Sequence, residues 1–186
     1  TDEIVRDAQH LLTLLGVDWV VTPPGYEAEH LASCLQTRGV VDAVITHDSD
    51  TVISGGTILR KQQGAHKYDV YTLQSVLREH GITHNELVDA CIHMGNDFTP
   101  GTRGVGFKTY LKKRGSLSLT DEQEAVKAYM MSEVPTPAAG NEVAGFFDHR
   151  ALVEWMSRHR GFRRSVIKKY VSQMRGCVID TQPYST

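Results

Sequence analysis

Apolar residues recur at helical spacing through EIVRDAQHLLTLL, residues 3–15, with Ile4, Ala8, Leu11, Leu12 and Leu15 on one face. Gly16 predicts the stop. VDWVVT, residues 17–22, lacks that period and reads as a short buried strand, which Pro23-Pro24-Gly25 cannot continue. Helical spacing resumes from Glu27 to Thr37 and closes at Arg38-Gly39. Residues 40–46, VVDAVIT, are rich in β-branched and apolar side chains, the pattern of a strand buried on both faces of a parallel sheet. Strand–helix–strand alternation of this kind predicts an α/β sheet with right-handed crossovers.

Further along, residues 68–71 suit a short strand, and residues 73–80 and 85–94 suit helices. GNDFTPGTRGVGFK, residues 95–108, is too rich in Gly and Pro to be other than mostly loop. Helix is expected again over 110–114, 150–159 and 164–174. The polar stretch 115–145, with Pro135, Pro137 and Gly140, reads as a mobile excursion. The chain then divides into an α/β portion over 1–94, a helical region over 95–175 and a tail over 176–186.

Composition narrows the class. The 186 residues are 40% hydrophobic and 23% charged, which suits a globular domain rather than a disordered chain. No apolar run reaches the 18 or so residues of a membrane span, and no secretory signal is evident at the start. Cys34, Cys91 and Cys177 are odd in number and form no close pair, which points to a reducing intracellular compartment. Charge is divided unevenly. Residues 1–100 carry 6 Lys/Arg against 14 Asp/Glu, whereas residues 101–186 carry 14 against 8. That asymmetry suits an acidic, metal-holding half beside a half that meets polyanions.

The apolar run 40–46 ends in THDSDTV, with Asp48 and Asp50 two residues apart. Were the chain extended there, both side chains would leave the strand end on the same side. At the carboxyl end of a parallel strand this is where functional groups gather. Two close carboxylates repel and raise each other's pKa unless a cation lies between them, and a hard divalent ion such as Mg²⁺ or Mn²⁺ takes oxygen ligands. Glu27 and Glu29 follow the first strand at a helix N-terminus, where negative charge is favoured. Asp97 follows a helix end. Each also has a plainer role: Glu27 as a helix-dipole partner, Asp48 and Asp50 as turn residues, Asp97 as a loop cap.

TRGVGFK, residues 102–108, is a second candidate. Gly104 and Gly106 flank Val105, and glycines let backbone N–H groups approach a phosphate closely. Arg103, Lys108, Lys112, Lys113 and Arg114 surround them, as a nucleic-acid backbone requires. The plain alternative is a turn with a solvated basic face.

Taken in order, YEAEHLASCLQTRG, THDSDTVISGG and CIHMGNDFTPGTRGVGFKTY resemble the flap endonuclease/XPG family of structure-specific 5′ nucleases. LLTLLGVDWVVTPP is similar to the family's helix–strand lead-in, and HRALVEWMSRHRGFRRSVIKKYVSQM to its closing helices, so the likeness runs over roughly residues 5–175. The resemblance implies a PIN-like or resolvase-like parallel sheet followed by a helix–two-turn–helix and C-terminal helices. It implies two Mg²⁺ or Mn²⁺ ions held by Glu27, Glu29, Asp48, Asp50 and Asp97, with Asp48, Asp50 and Asp97 central to catalysis. It also implies duplex DNA with a 5′ flap, nick or end, docked on Arg103, Gly104, Val105, Gly106, Lys108, Lys112 and Lys113, with K⁺ at the hairpin. Two departures fall there: Gly101 stands where the family usually has serine, and Phe107 where proline is common. The family's N-terminal half of the nuclease core, with two further metal-site aspartates and a helical arch, has no counterpart in these residues. TQPYST does not read as a sliding-clamp peptide. The implied setting is the nucleus or another site of DNA replication, repair or recombination.

Two rival readings use the same residues. DSDTV also fits a haloacid-dehalogenase-type phosphatase, with Asp48 as nucleophile and Asp50 as general acid. That reading leaves Glu27, Glu29 and the glycine hairpin unused. A non-catalytic nucleic-acid-binding or scaffold protein on a nuclease-like fold is the other.

Overall fold

The computed structural model describes residues 2–64, 67–135, 137, 140–141 and 147–175. Two compact units emerge: residues 22–136 form one, and residues 1–21 with 137–186 form the other.

In the 22–136 unit, α2 (Ala28–Thr37) leads to β2 (Val44–Ile45), the single turn α3 (Asp50–Ile53), β3 (Ile58–Lys61) and β4 (Tyr68–Tyr71). Three helices follow: α4 (Leu73–His80), α5 (His84–Met94) and α6 (Phe107–Lys113), with a 3₁₀ turn at Arg114–Ser116 and then α7 (Asp121–Met130). The sheet runs β2-β3-β4, parallel between β2 and β3 and antiparallel between β3 and β4. One buried cluster joins Ile53, Leu73, Ile82, Leu87, Val88, Cys91, Ile92 and Met130, fastening α3, α4, α5 and α7 together. A smaller one joins Leu31, Cys34 and Val134 under α2.

The other unit holds α1 (Asp2–Leu14), β1 (Trp19–Val20), β5 (Gly140–Asn141), α8 (His149–His159) and α9 (Arg164–Arg175). Leu14, Leu152, Ile167 and Val171 form its core. Asp148 caps α8 by accepting from the Ala151 N–H at 2.9 Å, and Arg160 pairs with Glu3 and Asp7. Among the described residues no helix is long and apolar enough to cross a membrane.

Several expectations need correction. The first strand is two residues long, pairs antiparallel with β5, and leaves Val17, Val20 and Val21 exposed. The second is also two residues, and Ile45 and Val40 are 69% and 66% exposed rather than buried on two faces. Its only partner among the described residues is β3, so the sheet of this unit is small and mixed, with one parallel pair. β3 itself was not expected. The stretch 115–145 is not loop throughout: α7 occupies Asp121–Met130, started by a capping box in which Thr120 and Gln123 satisfy each other's backbone N–H. The helix expected over 110–114 begins earlier, at Phe107. The tail 176–186 lies outside the described residues, and with it TQPYST and Cys177.

Candidate metal and nucleic-acid site

The five candidate carboxylates come from three segments of the 22–136 unit. Glu27 is the N-cap of α2, in extended backbone, and Glu29 lies in its first turn. Asp48 is exposed. Asp50 is half-buried and opens α3. Asp97 is exposed in the loop after α5.

Asp48 and Asp50 do not alternate from an extended strand as expected. The strand ends at Ile45, and Ser49 already has helical dihedrals (φ −77°, ψ −18°). Asp48 Oδ1 accepts the Asp50 N–H at 2.9 Å, so a turn rather than a pleat brings the two together. Arg60 steadies this turn by donating from Nη2 to the His47 carbonyl at 2.8 Å. Asn96, not Asp97, closes the next loop: its Oδ1 accepts from the N–H groups of Phe98 and Thr99, both at 3.0 Å.

Ser33 ties the first two segments. Its hydroxyl lies 2.8 Å from the Glu29 carbonyl and 2.9 Å from that of Thr51, sharing one proton between them. Ser33 and Thr51 are fully buried, and Gly56 packs so closely that a Cβ there would lie 3.0 Å from the Thr51 carbonyl.

All five carboxylates share one electrostatic neighbourhood. The Asp50 pKa is raised above the usual aspartate value by partial burial first, then by the charges of Asp48, Asp97, Glu27 and Glu29. Glu27 is raised by desolvation, then by Glu29, Asp97 and Asp48. Even Cys91, buried and unpaired, feels the site: burial, with the Asp50 charge behind it, pushes its thiol up to about 11. Among the described residues, however, no three His, Cys, Asp or Glu side chains converge closely enough to enclose a metal ion. The donor set is all carboxylate oxygen, which suits a hard divalent cation and not a soft one. Repulsion held open in this way is relieved by a cation drawn between the carboxylates.

The hairpin is built on α5 and α6. Thr102 N–H donates to the His93 carbonyl at 2.8 Å, and the His93 ring nitrogen Nδ1 bonds the Thr102 hydroxyl at 2.8 Å. Gly101 has φ +76°, and a Cβ there would lie 2.4 Å from the Gly95 nitrogen, so serine cannot stand at this position in this backbone. Gly104 (φ +78°) and Gly106 instead have nothing within 4 Å of where a Cβ would be, leaving their backbone open to solvent. Arg103, Lys108, Lys112 and Lys113 are exposed, and Val105 is half-buried. Arg114 is committed to Glu86 at 3.0 Å. Phe107 packs on the core with its ring against His80.

Sequence reasoning missed the aromatic wall beside the acids. Tyr26, Phe98 and Tyr129 line a cleft of about 440 Å³ that reaches Glu27. Tyr129 stands on α7, and the Thr120-x-x-Gln123 pattern was the signal that could have found that helix.

Comparison with known proteins follows the same residues. The XPG I-region matches residues 16–97. Flap endonuclease 1 of Ignicoccus hospitalis is 36% identical over 199 residues, covering 94% of this chain and 56% of that protein. The chain thus spans little more than half of that relative's length. Among solved structures, flap endonuclease-1 from Methanococcus jannaschii superposes with a TM-score of 0.82 at 22% identity, over 98% of this chain and 60% of that one. The catalytic core of Rad2 in complex with DNA substrate gives 0.67 at 21% identity, over 91% and 69%. At these identities the structural likeness speaks for the fold, an α/β nuclease-core fold with a small mixed sheet.

Proposed function

Because the chain belongs to the flap endonuclease/XPG family, we propose that it forms part of a metal-dependent, structure-specific 5′ nuclease. Its substrate is duplex DNA bearing a 5′ flap, nick or end, at sites of replication, repair or recombination. The observation that carries this reading is the common electrostatic neighbourhood of Glu27, Glu29, Asp48, Asp50 and Asp97.

In this reading the five carboxylates hold two Mg²⁺ or Mn²⁺ ions. Such ions, when bound, would supply Lewis-acid stabilisation and ease the deprotonation of the attacking water. The chain's own residues do the rest. Asp48 and Asp50, fixed by their shared turn, would hold the ions together with Asp97, Glu27 and Glu29. Arg103, Lys108, Lys112 and Lys113 neutralise duplex phosphates, and the open backbone at Gly104, Val105 and Gly106 lets one phosphate come close. K⁺ at the hairpin belongs to the same proposal. The acids thus fall in residues 1–94 and, with Asp97, at the start of 95–175, where the duplex contacts also lie. Part of the aligned relative's length has no match here, and residues of that kind supply the remaining ligands.

Cleavage of a labelled 5′-flap duplex, in Mg²⁺ and in EDTA, tests the reading, with Asp50→Asn beside the wild type. Metal-dependent cutting that needs the unmatched part of the nuclease core, and that is lost in the variant, is the expected result, because this chain holds only part of the active site. One observation favours a second reading, since among the described residues no three acids converge at ligand range: a non-catalytic nucleic-acid-binding protein on the same fold. Flap DNA bound with no measurable Mn²⁺ affinity, even with the unmatched part of the nuclease core supplied, would establish that reading and overturn the first.

A further inference from the structure

A helix leaves its first N–H groups without partners. α4, α5 and α7 solve this within themselves, through the capping boxes Thr72/Ser75, Thr83/Glu86 and Thr120/Gln123. α2 does not. Its N-cap is Glu27, whose side chain makes no capping bond. The residue three further on is His30, whose Nε2 is turned to the Ser132 carbonyl at 2.8 Å. The Glu27 N–H, which the N3 side chain takes in a capping box, therefore needs an acceptor from elsewhere.

Tyr129 provides that partner. The Glu27 N–H donates to Tyr129 Oη at 3.2 Å, across 102 residues of sequence. The tyrosine ring is itself held. Phe98 meets it edge-on at 5.1 Å, Tyr26 stacks at 6.1 Å and His30 meets it edge-on at 5.5 Å between centroids. Phe98 adjoins Asp97, so one side chain touches two of the three acid-bearing segments. The next residue, Met130, accepts from Asn96 Nδ2 at 3.5 Å, adding a weak tie to the loop that carries Asp97.

Resting on the nuclease reading, we propose that Tyr129 is a positioning residue for the metal site. Its hydroxyl takes the Glu27 N–H that His30, at N3, leaves without a side-chain acceptor and so fixes the backbone from which the Glu27 carboxylate projects, while its ring sets the distance between Glu27 and the Asp97 loop. Side chains that orient metal ligands tune metal affinity without touching the ion.

Tyr129→Phe keeps the ring and its packing and removes only the hydroxyl, so the variant folds. Three readouts on the 186-residue chain test the idea: Mn²⁺ affinity by calorimetry, amide exchange at Glu27, and the Mg²⁺ concentration that half-saturates flap cleavage. Exchange at Glu27 should quicken about tenfold. Mn²⁺ affinity should fall about five- to tenfold, with the Mg²⁺ requirement rising by a similar factor and the KM for DNA unchanged. Faster exchange with Mn²⁺ affinity within about twofold of wild type would reduce Tyr129 to a helix cap and overturn the proposal alone. No Mn²⁺ uptake by the wild-type chain, alone and with the unmatched part of the nuclease core supplied, would overturn the nuclease reading, and this proposal with it.

Discussion

The acid site and the glycine hairpin lie in one compact unit, yet they hold charge in opposite ways. At Asp50 and Glu27, negative charges accumulate against partial burial and against one another, and both pKa values rise. Around Gly104, the positive charges of Arg103, Lys108, Lys112 and Lys113 are exposed. The first region stores repulsion that a bound cation releases. The second stores access: two glycines whose missing side chains leave the backbone bare. On the proposed function, the cation site and the polyanion site leave different traces, one in electrostatics and the other in empty space.

The sharpest break between them is Asp50→Asn. On the proposed function it removes a metal ligand and a repulsive charge together, and metal-dependent cleavage should drop at least about a thousandfold. The dissociation constant for flap DNA should stay level or tighten, because the hairpin is untouched and one negative charge is gone. Lost DNA binding in a folded Asp50→Asn chain would mean the two regions are not separable.

Within the hairpin loop, Gly101 and Gly104 sharpen the contrast between structural and open glycines. Both have positive φ, so alanine strains either backbone. Only at Gly101 would the new Cβ meet backbone, at 2.4 Å from the Gly95 nitrogen. Gly101→Ala should cost roughly 3 kcal/mol or more, and Gly104→Ala about 1 kcal/mol. Thermal melts compare them directly, and equal losses would show that the loop relaxes around Gly101.

Lys112→Ala with Lys113→Ala removes two exposed charges from the end of α6. Flap-DNA affinity should weaken about tenfold near 100 mM salt, and the slope of log K against log[salt] should become shallower by about 2. An unchanged slope would place the phosphates elsewhere.

How far the sequence carries such contrasts depends on the range of the interactions. The strand at Tyr68–Tyr71 and the helix at Leu73–His80 were legible to the residue, because local period and the Thr72 cap set them. The charges of Glu27, Glu29, Asp48 and Asp97 all act on Asp50, as strand ends and helix starts that gather charge would have them do, though no three of the acids converge at ligand range among the described residues. The turn at Asp48–Asp50 was not legible: a period of two was carried past Ile45, where the strand had already ended, and the Asp48 side chain took over the backbone. α7 was hidden by the prolines that follow it, although Thr120 and Gln123 marked its start. Tyr129 could not be read at all, since nothing local ties a hydroxyl to an amide 102 residues away. The exposure of Ile45 was likewise invisible, because an apolar strand does not say whether anything covers it.

The smallest effect tests the stored repulsion itself, without metal or DNA. A carboxylate whose folded pKa is raised binds its proton more tightly in the folded state than in the unfolded. Its charged form therefore penalises folding above the folded pKa, and the penalty fades as pH falls through that value toward the ordinary carboxylate range. Asp50→Asn removes that penalty at every pH. In EDTA at about pH 7 the variant should melt about 1–4 °C above wild type, a modest gain because Asp50 is only half-buried. The gap should narrow as pH falls toward the ordinary carboxylate range, while saturating Mg²⁺ at neutral pH should raise the wild type alone. A gap that persists unchanged at low pH would mean that the introduced amide gains stability from a new hydrogen bond, and that the acids do not repel one another as strongly as their shared neighbourhood implies.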